Sequence, residues 1–150
     1  MDRLEAVRQV VDDILRQQPD EHESRCGFVH LYGVSAACVI LALKRGLDPQ
    51  LCAIAGMLHD ISAYKTSPSP DHGPLSGVEA ETILNEVGGF APEEIALICD
   101  VISRHSAKGE VGGAMAELLK DADVLQHFLY NPSSTPIPGS RLEKVLGEIT

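Results

Sequence analysis

DPQLCAIAGMLHDIS, residues Asp48–Ser62, is the stretch on which the reading of this chain turns. Asp48 can cap a helix with its carboxylate, and Pro49 suits the first helical position, where no backbone N–H is needed. Leu51 to Leu58 is apolar apart from Gly56, which predicts a buried helix rather than an amphipathic one. An imidazole and a carboxylate, His59 and Asp60, follow at once. Adjacent residues on a helix diverge by about 100°. His59 and Asp60 can therefore face one point only where the helix ends, so the segment sets two strong metal-binding groups at the edge of a core.

Upstream, the apolar pattern predicts a helix from about Phe28 to Arg45, with Gly46 placed to stop it. Before it, "QQPDEHES" is a polar break, and Leu4, Val7, Val11, Ile14 and Leu15 make one stripe of an N-terminal helix. Downstream, "SAYKTSPSPDHGP" reads as a Ser/Pro-rich loop. "LSGVEAETILNEV" is helical up to Gly88 and Gly89. "APEEIALICDVISRHS" has Pro and acids at its start and a basic residue near its end, as the helix dipole favours. "GGAMAELLKDADVLQHFLY" is a further helix, and a short one starts at about Arg141 after "NPSSTPIPGS". No repeat and no strand-length alternation occurs, so the predicted class is all-α.

A chain of 150 residues with 44% apolar residues fits one domain with a sizeable core. Aromatics are only 4%, so that core is built from Leu, Ile, Val and Ala. The net charge of −10 argues against general nucleic-acid binding, which needs a basic face. The longest apolar run, "VSAACVILAL", is half the length of a membrane span and closes on Lys44 and Arg45. The acidic, amphipathic amino terminus is unlike a signal peptide. Cys26, Cys38, Cys52 and Cys99 form no C-x-x-C pair and read as free, mostly buried thiols. A cytoplasmic protein without a membrane segment is expected.

The informative polar residues are those on apolar faces or at the ends of core helices. His30 shares a face with Val34, Ala37 and Leu41. His59 and Asp60 end the next helix, His72 opens another and His105 closes another. Asp123 lies between Leu119 and the pair Val124 and Leu125. Any one of these alone reads as a core residue with an ordinary partner. Together they are four imidazoles and two carboxylates whose burial without partners would cost several kcal/mol each. A metal centre removes that cost for all six.

His30, the pair His59-Asp60 and Asp123 in "KDADVL" resemble the four-part signature of the HD superfamily of metal-dependent phosphohydrolases. "DHGPLSGVEAETIL" and "EIALICDVISRHS" resemble the subset that adds two histidines, here His72 and His105, and binds two metals. The resemblance implies an HD domain with a core over residues 25–130, an N-terminal helix over 3–17 and a C-terminal extension over 131–150. It implies a bridging Asp60, with His30, His59 and Asp123 completing one site and His72 and His105 the other. An imidazole and carboxylate set suits Fe, Mn, Co, Ni or Zn. The activity implied is hydrolysis of a phosphate ester or anhydride of a small molecule such as a nucleotide, with a metal-bound hydroxide as nucleophile. His59, Asp60 and Lys65 are the expected catalytic residues, Lys65 at a substrate phosphate.

The same ligand set also resembles mixed-valence di-iron oxygenases, and a nucleotide-binding sensor with little turnover is a third reading. The usual HDIG reads HDIS here, with Ser62 at its end, and no G-Y-P signature of cyclic di-GMP hydrolases is present. Of the remaining candidates, His22 reads as surface and His127 as a partly buried structural histidine. Asp121 is expected to face solvent or a loop, since it cannot share a metal with Asp123. Lys108 stands in a loop beside His105, and Arg104 reads as a helix-end cation.

Overall fold

The computed structural model describes residues 2–150, and among them there are helices and no strand. The helices are α1 (Arg3–Arg16), α2 (Glu21–Arg45), α3 (Pro49–Leu58), α4 (Ile61–Lys65), α5 (His72–Val87), α6 (Pro92–Arg104), α7 (Ala114–Tyr130) and α8 (Arg141–Ile149). Their boundaries follow local chemistry. The Asp2, Asp20 and Asp48 carboxylates accept backbone N–H groups at the starts of α1, α2 and α3. Gly46 ends α2 in the left-handed conformation, with φ 68°.

Two boundaries differ from the sequence expectation. The polar segment from Glu21 to Ser24 is the first turn of α2, because Asp20 caps it and acids there favour the dipole. Ser62 to Lys65, expected as loop, lie in the short helix α4.

α3 is the axis of the fold. Every residue from Leu51 to Leu58 is buried, as a helix apolar on all sides requires. α2 lies along α3 and α7, α6 also touches α3, and α5 pairs with α6. α1 closes the core with Val7, Val11 and Leu15, all fully buried, while α8 rests on α7 with Val145 as its buried anchor. The 25-residue α2, with a mean hydropathy of 2.0 in its most apolar window, is by length and composition sufficient to cross a membrane. The ten-residue run taken from sequence understated it. Half of that window is buried inside this fold, as in any core helix.

Two glycines set close helix approaches beside the polar cluster. A Cβ on Gly56 would stand 2.8 Å from the Ser35 Cα, so α3 can lie against the α2 backbone only without one. Gly73, next to His72, approaches α6 so closely that a Cβ would be 2.9 Å from the Ser103 carbonyl oxygen. The first contact places His30 near His59, and the second places His72 near His105.

Candidate metal centre

Each of the four histidines is oriented through Nδ1. His59 Nδ1 donates to the Gly56 carbonyl at 2.7 Å, His105 to Ile102 at 2.7 Å and His72 to Ser69 at 3.0 Å, in each case three residues back. His30 Nδ1 donates to Gln126 Oε1 on α7 at 2.6 Å. A carbonyl oxygen can only accept, so Nδ1 carries the proton and the Nε2 lone pair is left for another partner.

All four Nε2 atoms point at Asp60. Its Oδ2 lies 3.0 Å from His30 Nε2 and 3.2 Å from His59 Nε2. Its Oδ1 lies 3.0 Å from His105 Nε2 and 3.5 Å from His72 Nε2. Asp123 Oδ1 joins the first set, 3.3 Å from His30 and 3.5 Å from His59. The rings form a file, with centroids 4.9 Å apart for His30–His59 and His59–His105 and 5.0 Å for His72–His105. Asp60 reaches both groups because it stands in the break between α3 and α4, as the H-D pair at a helix end predicts.

The arrangement fits divalent cations. His30, His59, Asp60 and Asp123 offer donor atoms all within 4.8 Å of one another, and so do Asp60, His72 and His105. Donors bonded at about 2.0–2.2 Å to one ion lie roughly 3.0–3.5 Å apart, which matches the spacings here. Asp123 Oδ1 is buried and has no hydrogen-bond partner among the described residues, which fits a carboxylate oxygen placed to bind a cation. His30 Nε2 and His59 Nε2 are 3.1 Å apart, a contact that a shared proton or a shared metal ion satisfies.

The electrostatics agree. Burial lowers the His30 pKa, but the Asp123 and Asp60 carboxylates outweigh it and raise it to about 9. His59 is likewise lowered by burial and carried up to about 10 by Asp60 and Asp123. Burial raises Asp60 and Asp123, yet the surrounding imidazoles hold both far below the usual carboxylate range. The cluster stabilises positive charge at its centre, as protons or as metal.

Residues 27–127 match the family model of the HD domain. The chain belongs to the HD domain family. No curated protein and no solved structure matches it significantly. The His/Asp cluster is consistent with an HD metal site, and HD domains bind divalent metals.

The HD fold brings together the six expected ligands, His30, His59, Asp60, His72, His105 and Asp123. It gives Lys65 a different setting. Lys65 ends α4 with its ammonium on Glu79 Oε2 at 2.9 Å, and it lines neither cavity that borders Asp60. The cation at the cluster is Lys108, whose Nζ donates to Asp123 Oδ2 at 2.8 Å.

Asp121, expected to face solvent or a loop, is buried and held by Arg45 at 2.6 Å and Arg141 at 2.7 Å, both on helices. Those arginines come from the far end of α2 and the start of α8, so only the packed fold reveals them. His127 is not buried. Its ring, 4.9 Å from that of His30, stands at the mouth of a cavity. His22 is exposed, and Arg104 pairs with Asp100 along its own helix. The four cysteines are free, with Cys38 and Cys52 buried. Gln126, missed from sequence, was findable: it lies three residues after Asp123 on one helical face.

Proposed function

We propose that this HD domain is a metal-dependent phosphohydrolase acting on a phosphate ester or anhydride of a small molecule. The observation that carries the reading is the double use of Asp60, with one carboxylate oxygen toward His30 and His59 and the other toward His72 and His105. Such a carboxylate suits two divalent ions, one with His30, His59 and Asp123 and the other with His72 and His105. Divalent ions there supply Lewis acidity and activation of water at neutral pH.

The protein's own contribution is orientation and charge. Backbone carbonyls and Gln126 fix the imidazoles in the tautomer that leaves Nε2 free. The His30 and His59 imidazoles, with Lys108 on Oδ2, hold Asp123 ionised, and Lys108 aims it at the cluster. Burial of His59 and His105 keeps bulk water from one side of the site. The acidic surface makes long nucleic acid a poor substrate and leaves a small phosphorylated molecule.

The test is a phosphate-release screen on protein loaded separately with Mn, Fe, Co, Ni and Zn, with metal content measured on each sample. Release by at least one form is expected. Fully loaded protein that frees phosphate from no ester or anhydride would overturn the reading. Dioxygen uptake by the iron form without phosphate release would replace it with an oxygenase.

A further inference from the structure

Two cavities border Asp60. On the His72 side, Ala63, Pro68 and Ser69 complete a space of about 200 Å³. On the His30 side, a cavity of about 240 Å³ is walled by Cys26, Val29, Tyr64 and Tyr130, with His127 and Gln126 beside the donors. No Lys or Arg lines either one.

Resting on the hydrolase reading, we propose that the substrate is a phosphate monoester whose alcohol carries an uncharged ring. The phosphate meets the His/Asp cluster, and the ring occupies the Val29–Tyr64–Tyr130 cavity. Water adds to phosphorus, the ester P–O bond breaks, and the alcohol leaves with a proton from that water, giving inorganic phosphate.

Three observations select this class. First, the wall is apolar and aromatic. Val29 and Tyr130, 38% and 61% exposed, are large apolar surfaces left open beside a polar cluster. Tyr64 is a fixed part of that wall, because it packs so closely on Gly27 that a Cβ there would be 3.0 Å from its ring. Secondly, further phosphates would need cations, and the nearby lysines already have carboxylate partners: Lys65 has Glu79 and Lys108 has Asp123. Thirdly, the cavity lies below the roughly 300–1,000 Å³ of sites that enclose a drug-sized ligand, so it takes one ring rather than an extended molecule.

The experiment compares benzyl phosphate with ethyl phosphate, whose alcohols leave with similar ease, and with inorganic pyrophosphate, on metal-loaded protein. A kcat/KM for benzyl phosphate about ten-fold or more above the other two is expected, the gain of a partly buried ring. Calorimetry with benzylphosphonate and methylphosphonate reads the same preference without turnover. Tyr130→Ala and Val29→Ala should pull both benzyl preferences toward one, and neither side chain is in the buried core. Turnover with no benzyl preference, or a preference for pyrophosphate, would overturn the substrate class and leave the hydrolase reading standing. Selective binding of benzylphosphonate without turnover of any ester or of pyrophosphate would overturn the hydrolase reading and support the cavity. Binding of neither phosphonate, with no turnover of any ester or anhydride, would overturn both.

Discussion

Asp121 and Asp123, two residues apart on α7, belong to two separate polar clusters. Asp123 turns its Oδ1 to His30 and His59, while Asp121 is clasped by Arg45 and Arg141. Asp123→Asn should therefore cost metal and activity with the fold retained. Asp121→Asn should cost stability, about 1–3 kcal/mol, with metal content unchanged. It stays below the cost of a stranded buried charge because Arg45 keeps Glu148 and Arg141 keeps Glu117. Urea denaturation and elemental analysis of both variants check the contrast.

Metal stoichiometry tests the bridging role of Asp60. Asp60→Ala should lose both ions and all activity. His72→Ala and His105→Ala should each empty one site, and His30→Ala should weaken the other. The readout is metal-to-protein ratio after dialysis. Fully loaded wild type that never exceeds one ion per chain would leave His72 and His105 as substrate-binding or structural residues. Chelation should lower the melting temperature, since an ion held more tightly by the folded cluster than by the unfolded chain stabilises the fold.

Lys65 and Lys108 separate by the same logic. Lys108→Met removes the partner of a ligand carboxylate, and such partners are worth about 10–100-fold in metal affinity or activity. Lys65→Ala breaks a half-exposed pair with Glu79, so kcat/KM should change by less than about three-fold. Steady-state kinetics at saturating metal give both numbers.

Ser62, where HDIG enzymes have glycine, ties α4 to α5. Its hydroxyl accepts from Ser76 Oγ at 2.9 Å and donates to the His72 carbonyl at 3.1 Å. Ser62→Ala should cost about 1–2 kcal/mol and weaken the ion held by His72 more than the ion held by His30. Metal titration resolves the two.

Acid should loosen α8. Arg45 holds Glu148 below the ordinary glutamate value of 4.5. A carboxyl lowered on folding stabilises the fold above its unfolded pKa, and that contribution is lost as pH falls through the lower folded value. Glu148→Gln should lower the melting temperature by about 1–3 °C near pH 7. The difference from wild type should vanish below the folded pKa, which melting curves at several pH values would show.

What could be read from the sequence was what local chemistry determines. Asp48, Pro49 and Gly46 mark helix ends by themselves, and the six candidate ligands stand where apolar periodicity meets a polar group. What escaped depends on tertiary packing. The partners of Asp121 come from α2 and α8, and the partner of Lys65 is fourteen residues away on α5. α4 is too short for periodicity to show, and a polar first turn hid the start of α2.

The carbonyl anchors of the histidines are unequal in reach. His59, His72 and His105 are each set by a four-residue segment, so their aim survives as long as that one turn does. His30 is aimed by Gln126, ninety-six positions along the chain, and so depends on α7 being docked against α2. The candidate ligand set thus has three histidines held locally and one that reports on assembly. Partial undocking of α7 removes Asp123 and the His30 anchor together, so one half of the centre fails as a unit while His72, His105 and Asp60 keep their places. In a chemical or thermal melt, metal release should then come in two steps, with the His30 side leaving first.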